Sequence, residues 1–366
     1  MSYLSHKQLL SLVLLSIVLL FSPFTPGLRA GGGEGEAFNP GETILHHVAD
    51  AHEWEFAIIG GTHLTLPLPV ILYTPKGLDV FMSSAIHHGK KEEKEHEGKK
   101  TSVTEVKTAL NTYHYEHGKF HLADGGHLYD FSITKNVASL FLSVILLMVI
   151  FFQVASAYKK RPGQAPRGMQ SFFEPIIVFV RDDIAKGAIG PKHERFLPYL
   201  LTIFFFIWFN NVLGLFPAGA NLTGNIAITL TLALFTFFIT LFSGNRNYWS
   251  HIFNTPGVPW WLKTVVPIMP IVEFMGIFTK PFSLMIRLFA NITAGHIIML
   301  SLFSLIFMFK SIGLAVAPVS VAFAVAMNFL ELFVALLQAY VFTLLSALYF
   351  GQAVEEHHHE HEEAHH

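Results

Sequence analysis

Long apolar runs constrain this chain more than any other feature. Each is long enough to cross a bilayer, whose hydrocarbon core is about 30 Å thick. Lipid offers no hydrogen bonds to the backbone, so spans of this kind must be helical. With 52% hydrophobic and 14% charged residues, the chain is predicted to be an all-α polytopic membrane protein with about five transmembrane segments. The predicted spans are 137–157, 197–217, 224–243, 265–309 and 314–350.

The last two spans are too long for an upright crossing. A helix of about 45 residues reaches roughly 67 Å, more than twice the thickness of the hydrocarbon core. Strong tilting or kinking resolves the mismatch. Pro281 and Pro318 are the predicted bends.

The N-terminus is typical of a secretory signal peptide. Lys7 precedes an apolar core, Leu9–Phe21, which is followed by prolines and by small residues near Ala30. We therefore expect residues 1–30 to be a signal peptide. An uncleaved first transmembrane helix is the alternative.

The next segment, residues 31–132, is polar and rich in histidine, and we expect a small extracytoplasmic domain. β-branched and alternating residues predict strands or hairpins in three ranges: Thr62–Thr74, Leu78–Ile86 and Thr112–Leu122. The run Lys90–Lys100 alternates clusters of lysine and glutamate and predicts a solvated stretch.

The basic residues orient the membrane domain, 133–350. They concentrate after the first span and before the second, which places that connection in the cytoplasm. The basic residues concerned are Lys159, Lys160, Arg161, Arg167, Arg181, Lys186, Lys192 and Arg195. The N-terminal domain is then periplasmic and the tail, 351–366, cytoplasmic, with an amphipathic helix predicted at Ser171–Ala185 near the inner surface.

Several classes of function are excluded or disfavoured. A net charge of −2 provides no basic surface for nucleic acid. The absence of cysteine excludes disulfides and thiolate chemistry, and no phosphate-binding loop of the G-x-x-x-x-G-K-[ST] type occurs. The histidine- and glutamate-rich tail lacks the fixed geometry of a metal site, so we expect no metal and no cofactor.

Arg287 lies in the middle of the fourth apolar run. A guanidinium keeps its charge, and at mid-bilayer depth it costs about 2.5–3.5 kcal/mol. At 100° per residue, Glu273, Lys280, Arg287 and Asn291 fall on one helical stripe, whereas His296 points away from it. Lys280 near the inner headgroups has a second interpretation as a snorkelling residue.

The final helix carries a second polar stripe formed by Asn328, Glu331 and Gln338. A buried glutamate needs a partner or water, and His296 is the predicted partner of Glu331. These residues indicate a polar path from outside toward Arg287 and Gln338, with Glu273 on a separate inner path. Asn291, Asn328 and Gln338 also have a purely structural interpretation, as hydrogen bonds between helices.

Three motifs resemble subunit a of F-type ATP synthases, in the family's order over about 135–350. They are Asn211-Val-Leu-Gly-Leu-Phe-Pro217; Arg287-Leu-Phe-Ala-Asn291-Ile-Thr-Ala-Gly-His296 with upstream Glu273 and Lys280-Pro281; and Glu331-Leu-Phe-Val-Ala-Leu-Leu-Gln338. The signal-like start and long outer domain resemble the version found in Bacteroidetes-type bacteria.

The resemblance implies a function. Arg287 matches the family's stator arginine, which faces the carboxylate of the rotating c-ring. Asn291, His296, Glu331 and Gln338 match the outer half-channel and Glu273 the inner one, with Lys280, Asn328 and Asn211 in support. The implied partners are the c-ring, the peripheral-stalk b subunits, protons and the lipid of a bacterial inner membrane.

Two alternatives remain open from the sequence. A stand-alone secondary transporter is one, although the two comparable halves typical of such proteins are not evident. Sodium in place of protons is the other, because the ring carboxylate that decides the ion lies on another chain.

Overall fold

The computed structural model describes residues 50–59, 62–96, 99–116, 118–216, 219–220, 222–253, 268–308 and 313–355. The predicted signal peptide and the histidine-rich part of the C-terminal tail lie outside these residues. The chain divides into two compact units. One contains the described residues of Met1–Ser143, Val212–Leu222 and Ala294–Glu331, and the other those of Val144–Asn211, Thr223–Thr293 and Leu332–His366.

The described residues before the first span form a β domain of short antiparallel strands in three sheets, ordered β1-β2, β4-β3-β9 and β5-β6-β7-β8. The strands are β1 (Glu53–Ile59), β2 (Thr62–Pro67), β3 (Pro69–Thr74), β4 (Gly77–Met82), β5 (Lys90–His96), β6 (Lys99–Lys107), β7 (Thr112–Glu116), β8 (Lys119–Leu122) and β9 (Tyr129–Asp130). A short helix, α1 (Ala85–His88), lies between β4 and β5.

The strand predictions are largely confirmed, with one correction and one addition. Ile86 belongs to α1 rather than to a strand. The sequence predicted no strand in the charged run, whereas the structure places β5 there, paired with β6 so that Lys90 lies opposite Glu105 and His96 opposite Lys99. Backbone hydrogen bonds to a neighbouring strand form this hairpin, and a local count of charges does not detect them.

The core of the β domain lies on one face of its strands. Along β3 the side chains alternate, so that Val70 and Leu72 are fully buried while Tyr73 beside them is exposed. They pack with Tyr113 and Phe120 of the β7-β8 hairpin. The period of two is the pattern of a half-buried strand.

Among the residues that the structure describes, five helices of the membrane domain are long and apolar enough to cross a bilayer, as predicted. They are α2 (Lys135–Lys160), α4 (Leu197–Gly214), α5 (Ile226–Ser243), α7 (Ile268–Met308) and α8 (Gly313–Val354). Together with the β domain they confirm the predicted class, an all-α polytopic membrane protein with a small β-containing N-terminal part.

The two C-terminal helices have the predicted great length. Helix α7 has 41 residues and α8 has 42, so each is about 60 Å long at 1.5 Å per residue. Pro281 lies inside α7 and Pro318 inside α8 without ending either helix. Membrane helices tolerate such prolines because neighbouring groups satisfy the backbone carbonyl that proline leaves free.

The connection between α2 and α4 is the predicted amphipathic segment. Helix α3 (Met169–Phe179) continues into a π-helical turn, Val180–Lys186. Ile184 and Ala185 are buried in the apolar core of the unit, whereas Arg181 is exposed and forms two hydrogen bonds with Asp182, of 2.9 and 2.8 Å. One face of the segment therefore packs on the protein and the other carries charge.

The same core brings α7 and α8 together. Leu284, Met285 and Leu288 of α7 and Ala339 and Phe342 of α8 are all buried in it. Near the end of α8, a Cβ on Gly351 would collide with the carbonyl oxygen of Ala188. Only glycine permits this approach, which fixes where the end of α8 crosses the segment after α3.

Candidate functional site

Arg287 projects from α7 without a partner among the described residues of its own chain. Its neighbours Leu284 and Leu288 are buried in the core, whereas Ile286 is 39% exposed and Arg287 itself is half-buried. Within the described ranges, no hydrogen bond or ion pair to Arg287 is found. A guanidinium at the edge of an apolar helix face, with five donors to satisfy, is thus open to an acceptor from another molecule.

One turn further along α7, Asn291 meets α8. Its Nδ2 donates a hydrogen bond of 3.0 Å to Oε1 of Gln338. Gln338 is only 3% exposed, and its own Nε2 is buried without an acceptor among the described residues. Two residues from the separate polar stripes of α7 and α8 therefore do come together, and one amide donor remains available.

A polar cavity of about 390 Å³ lies beside the start of α7. It is formed by α6 (Arg246–Phe253), the first part of α7 and the end of α8. Its polar lining includes Tyr248, His251, Glu273, Lys280, Gln352 and Glu355. The volume is enough for several water molecules.

Lys280 is held in this cavity. Its Nζ donates a hydrogen bond of 2.8 Å to Oε1 of Gln352 and lies 5.3 Å from the centre of the Tyr349 ring. Burial raises the pKa of the Tyr248 hydroxyl, and the nearby charge of Glu273 raises it further. Glu273 and Lys280 thus line the same polar cavity.

In the other compact unit, Glu331 is buried against α7. The residue is 8% exposed, and neither carboxyl oxygen has a hydrogen-bond partner in the described part of the chain. A Cβ on Gly295 would collide with Oε1 of Glu331. The glycine therefore makes room for the carboxyl.

His296, the predicted partner of Glu331, makes no hydrogen bond to its carboxyl oxygens. The carboxyl packs against Gly295, the residue before the histidine, and His296 is half-buried. Asn328, three residues before Glu331, is also half-buried, and its Oδ1 has no donor among the described residues. The structure thus brings Glu331 to the turn that carries His296 but does not join their polar atoms.

Asn211 has a structural contact. Its Oδ1 accepts a hydrogen bond of 2.6 Å from Oγ1 of Thr223, in the turn before α5. Both residues are buried, at 4% and 1% exposure. The pair ties the end of α4 to the turn before α5.

Several polar residues of the membrane domain were not predicted from the sequence. Gln352 lies 14 residues after Gln338 and so on the same face of α8, a signal that could have identified it. A buried hydroxyl chain joins Tyr199, Thr236 and Ser346, with distances of 2.7 and 3.4 Å. No sequence motif distinguishes these hydroxyls from ordinary helix residues.

Comparisons with known proteins place the chain in a family. The family model described as ATP synthase A chain matches residues 137–351, and one described only as a domain of unknown function matches residues 43–132. Among curated relatives, "ATP synthase subunit a 2" of Chlorobaculum tepidum is 53% identical over 232 residues, which cover 62% of this chain and 64% of that protein. The chain thus spans slightly less than two thirds of that relative.

Two further relatives extend the match. "ATP synthase subunit a" of Chloroherpeton thalassium is 48% identical over 62% of this chain and 68% of its own length. The protein of the same name from Chlorobium phaeobacteroides strain BS1 is 38% identical over 343 residues, covering 92% of this chain and 82% of its own. With the family model covering more than half of the residues, the chain belongs to the ATP synthase A chain family, the subunit a family of F-type ATP synthases.

Proposed function

We propose that this chain is the proton-conducting stator subunit of a bacterial F-type ATP synthase. Its membrane partners are then the c-ring and the peripheral-stalk b subunits, and its role is to couple proton flow to rotation. The chain supplies no nucleotide site of its own, so ATP chemistry takes place on other subunits. Membership of the subunit a family supports this role, and the unpaired charge of Arg287 among the described residues is the single observation that carries its mechanism.

Arg287 supplies the fixed positive charge of the stator. The described residues of this chain supply no acceptor for Arg287, and a carboxylate on the passing ring would provide one with matching charge and geometry. Close to the guanidinium the ring carboxylate is favoured as an ion. The same charge repels a proton that would cross directly between the two half-channels, so each proton must travel with the ring.

The outer half-channel is formed by polar groups of α7 and α8. Glu331 lies buried with no partner among the described residues, which is costly for an ion and suits a group that takes up and releases a proton. Asn291 and Gln338 retain one unused amide donor within the described ranges. We assign Glu331 and His296 to proton entry, Asn328 to their support, and the Asn291–Gln338 pair to the approach toward Arg287.

The inner half-channel opens through the polar cavity beside α6. Glu273 lines it, and Lys280 lies within its electrostatic reach, bound to Gln352. We propose that protons leave the ring through water in this cavity, with Glu273 as the carboxylate that receives them. Lys280 and Gln352 keep the wall of the cavity polar. Elsewhere in the membrane domain, the hydrogen bond between Asn211 and Thr223 supports the packing of α4 against α5.

The basic residues between α2 and α4 orient the subunit by the positive-inside rule. We propose a bacterial inner-membrane location in which the β domain is periplasmic and the C-terminus is cytoplasmic. In this orientation the cavity around Glu273 opens to the cytoplasm. The two long helices α7 and α8 are tilted, since about 60 Å of helix must fit a core of about 30 Å.

The test is ATP-driven proton uptake by inverted membrane vesicles that carry Arg287→Gln in the whole complex. Uptake should fall to the background while assembly of the complex is unchanged. Arg181→Gln is the matched control, because that arginine is exposed and already paired with Asp182, and it should pump normally. Normal uptake by Arg287→Gln would refute the proposed role.

A further inference from the structure

The three-stranded sheet of the β domain has an apolar outer face. On β3 and β4, which pair in antiparallel register, every second side chain points away from the core. Tyr129 of β9 pairs with Tyr73 and lies on the same side. We call this set the outer patch: Tyr73 52%, Leu78 57%, Val80 57%, Met82 46%, Tyr129 63% and Phe131 66% exposed.

The outer patch is free of carboxylates from its own strands. Asp79 alternates with Leu78 and Val80 and is buried on the inner side, where it accepts a hydrogen bond from Tyr113. Asp130 pairs with Leu72, a core residue, and accepts a hydrogen bond from His52. Scattered exposed apolar residues are ordinary, but six large ones on one uncharged face indicate a covered surface.

The outer patch is held at the start of the first membrane helix. Backbone N–H groups of Phe131 and Ile133 donate to the carbonyls of Ile71 and Pro69, at 2.8 and 3.0 Å, so the sheet pairing continues past β9. The N–H of Lys135, the first residue of α2, donates to Ala51 at 2.8 Å. The four residue-to-residue steps from Phe131 to Lys135 span at most about 14 Å.

Helix α2 itself presents apolar side chains outward from its first turns. Phe141 is 55% and Leu142 is 51% exposed, as expected of a lipid-facing helix. The outer patch is therefore covalently continuous with a lipid-exposed surface. Its composition, with two tyrosines and a phenylalanine among aliphatic residues, is that of the membrane–water interface, where tyrosine places its ring in apolar surroundings and its hydroxyl in water.

We propose that the outer patch lies on the lipid surface of the leaflet in which α2 begins. The β domain is then a membrane-seated element that fixes the start of the first span, rather than a domain standing free in the aqueous compartment. This inference rests on the membrane-spanning helices and not on the proton mechanism, so either can fail without the other.

The absence of cysteine from the chain permits a direct test. Val80→Cys, or Leu78→Cys as an independent second position, is labelled with an environment-sensitive fluorophore in the whole complex, prepared without other reactive thiols. The complex is reconstituted in vesicles containing phospholipid with a nitroxide near its headgroup. Asp124→Cys is the control, because the Asp124 side chain is 75% exposed and its ion pair with Lys76, at 3.4 Å, lies on the surface.

The nitroxide lipid should quench the labels at positions 78 and 80 at least about twice as strongly as the label at 124, and aqueous iodide should show the reverse order. Labels that are shielded from iodide but insensitive to the lipid would mean that another protein subunit covers the outer patch. Labels quenched by iodide as strongly as the control would mean that it is open to water. Either result would overturn the proposal.

Discussion

Two buried carboxyls of this protein have opposite surroundings. Asp79 in the β domain is 7% exposed, and Glu331 in the membrane domain is 8% exposed. Asp79 accepts hydrogen bonds from Tyr113, at 2.9 Å, and from Thr108. Glu331 has no hydrogen-bond partner among the described residues. The two carboxyls are almost equally buried, but Asp79 is hydrogen-bonded and stabilises the β domain. Glu331 is not, and we infer that its burial serves proton exchange.

Replacing each acid by its amide should separate the two roles. Glu331→Gln removes the carboxyl that we propose exchanges protons, so we expect ATP-driven uptake to fall at least about tenfold, or ~1.4 kcal/mol in the barrier, with normal assembly. Asp79→Asn should lower the stability of the β domain and leave pumping per assembled complex unchanged. Equal pumping by the two variants would contradict the assignment of proton exchange to Glu331 and of stability to Asp79.

The glycine beside Glu331 provides a finer test. Gly295→Ala adds a Cβ that would collide with Oε1 of Glu331, so the carboxyl must move and uptake should fall severalfold. Shortening the acid as well, in Gly295→Ala with Glu331→Asp, should restore part of the loss. The same uptake assay measures both, and additive losses would show that the glycine acts independently of the acid.

The Asn291–Gln338 pair should show coupling of a smaller size. A double-mutant cycle with Asn291→Ala and Gln338→Ala measures it, because a broken hydrogen bond is lost only once. We expect each single variant to reduce uptake a few-fold and the double variant to be little worse than either. Independent effects that multiply would contradict a shared contact.

On the β-domain side, Tyr113→Phe removes a hydrogen bond to Asp79. The expected cost is about 1–2 kcal/mol of domain stability, measured as faster amide hydrogen exchange in β7 of the intact protein. Pumping should not change. Unaltered exchange would show that the Asp79 contacts contribute little to the fold.

The ionisation of Tyr113 should make the stability of the β domain depend on pH in the alkaline range. Burial, opposed by the hydrogen bond from Asn111 and reinforced by Asp79, raises the pKa of Tyr113 to about 12. The raised pKa stabilises the folded domain fully below pH about 10, the unfolded value, and this stabilisation is lost as the pH rises toward 12. Subtracting the tyrosinate absorbance of Tyr113→Phe from that of the wild type should give a midpoint near 12. A midpoint near 10 would indicate an unperturbed phenol.

Much of the fold could be predicted because it depends on local pattern. Apolar runs identified all five spans, and period-two alternation identified the strands around Val70 and Leu72. The polar stripes containing Asn291 and Gln338 followed from 100° per residue. Contacts that depend on how two helices are aligned could not be predicted in this way.

Two cases show the limit. Helical geometry put Glu331 and His296 near each other, but whether their atoms meet depends on sub-turn register, and the carboxyl packs on Gly295 instead. Similarly, the charge run gave no strand prediction for β5, because the pairing of β5 with β6 depends on backbone hydrogen bonds between the two strands. The bond from Lys280 to Gln352 joins residues 72 positions apart, beyond any local pattern.

Cross-linking tests most directly whether the face of α7 around Arg287 meets the ring. Ile286→Cys, beside Arg287 and 39% exposed, and Leu284→Cys, 1% exposed in the core, are each combined with a cysteine next to the ring carboxylate in the whole complex and oxidised. We predict a disulfide with position 286 and none with position 284. Absence of a disulfide at 286 in an assembled, pumping complex would contradict the stator role of Arg287.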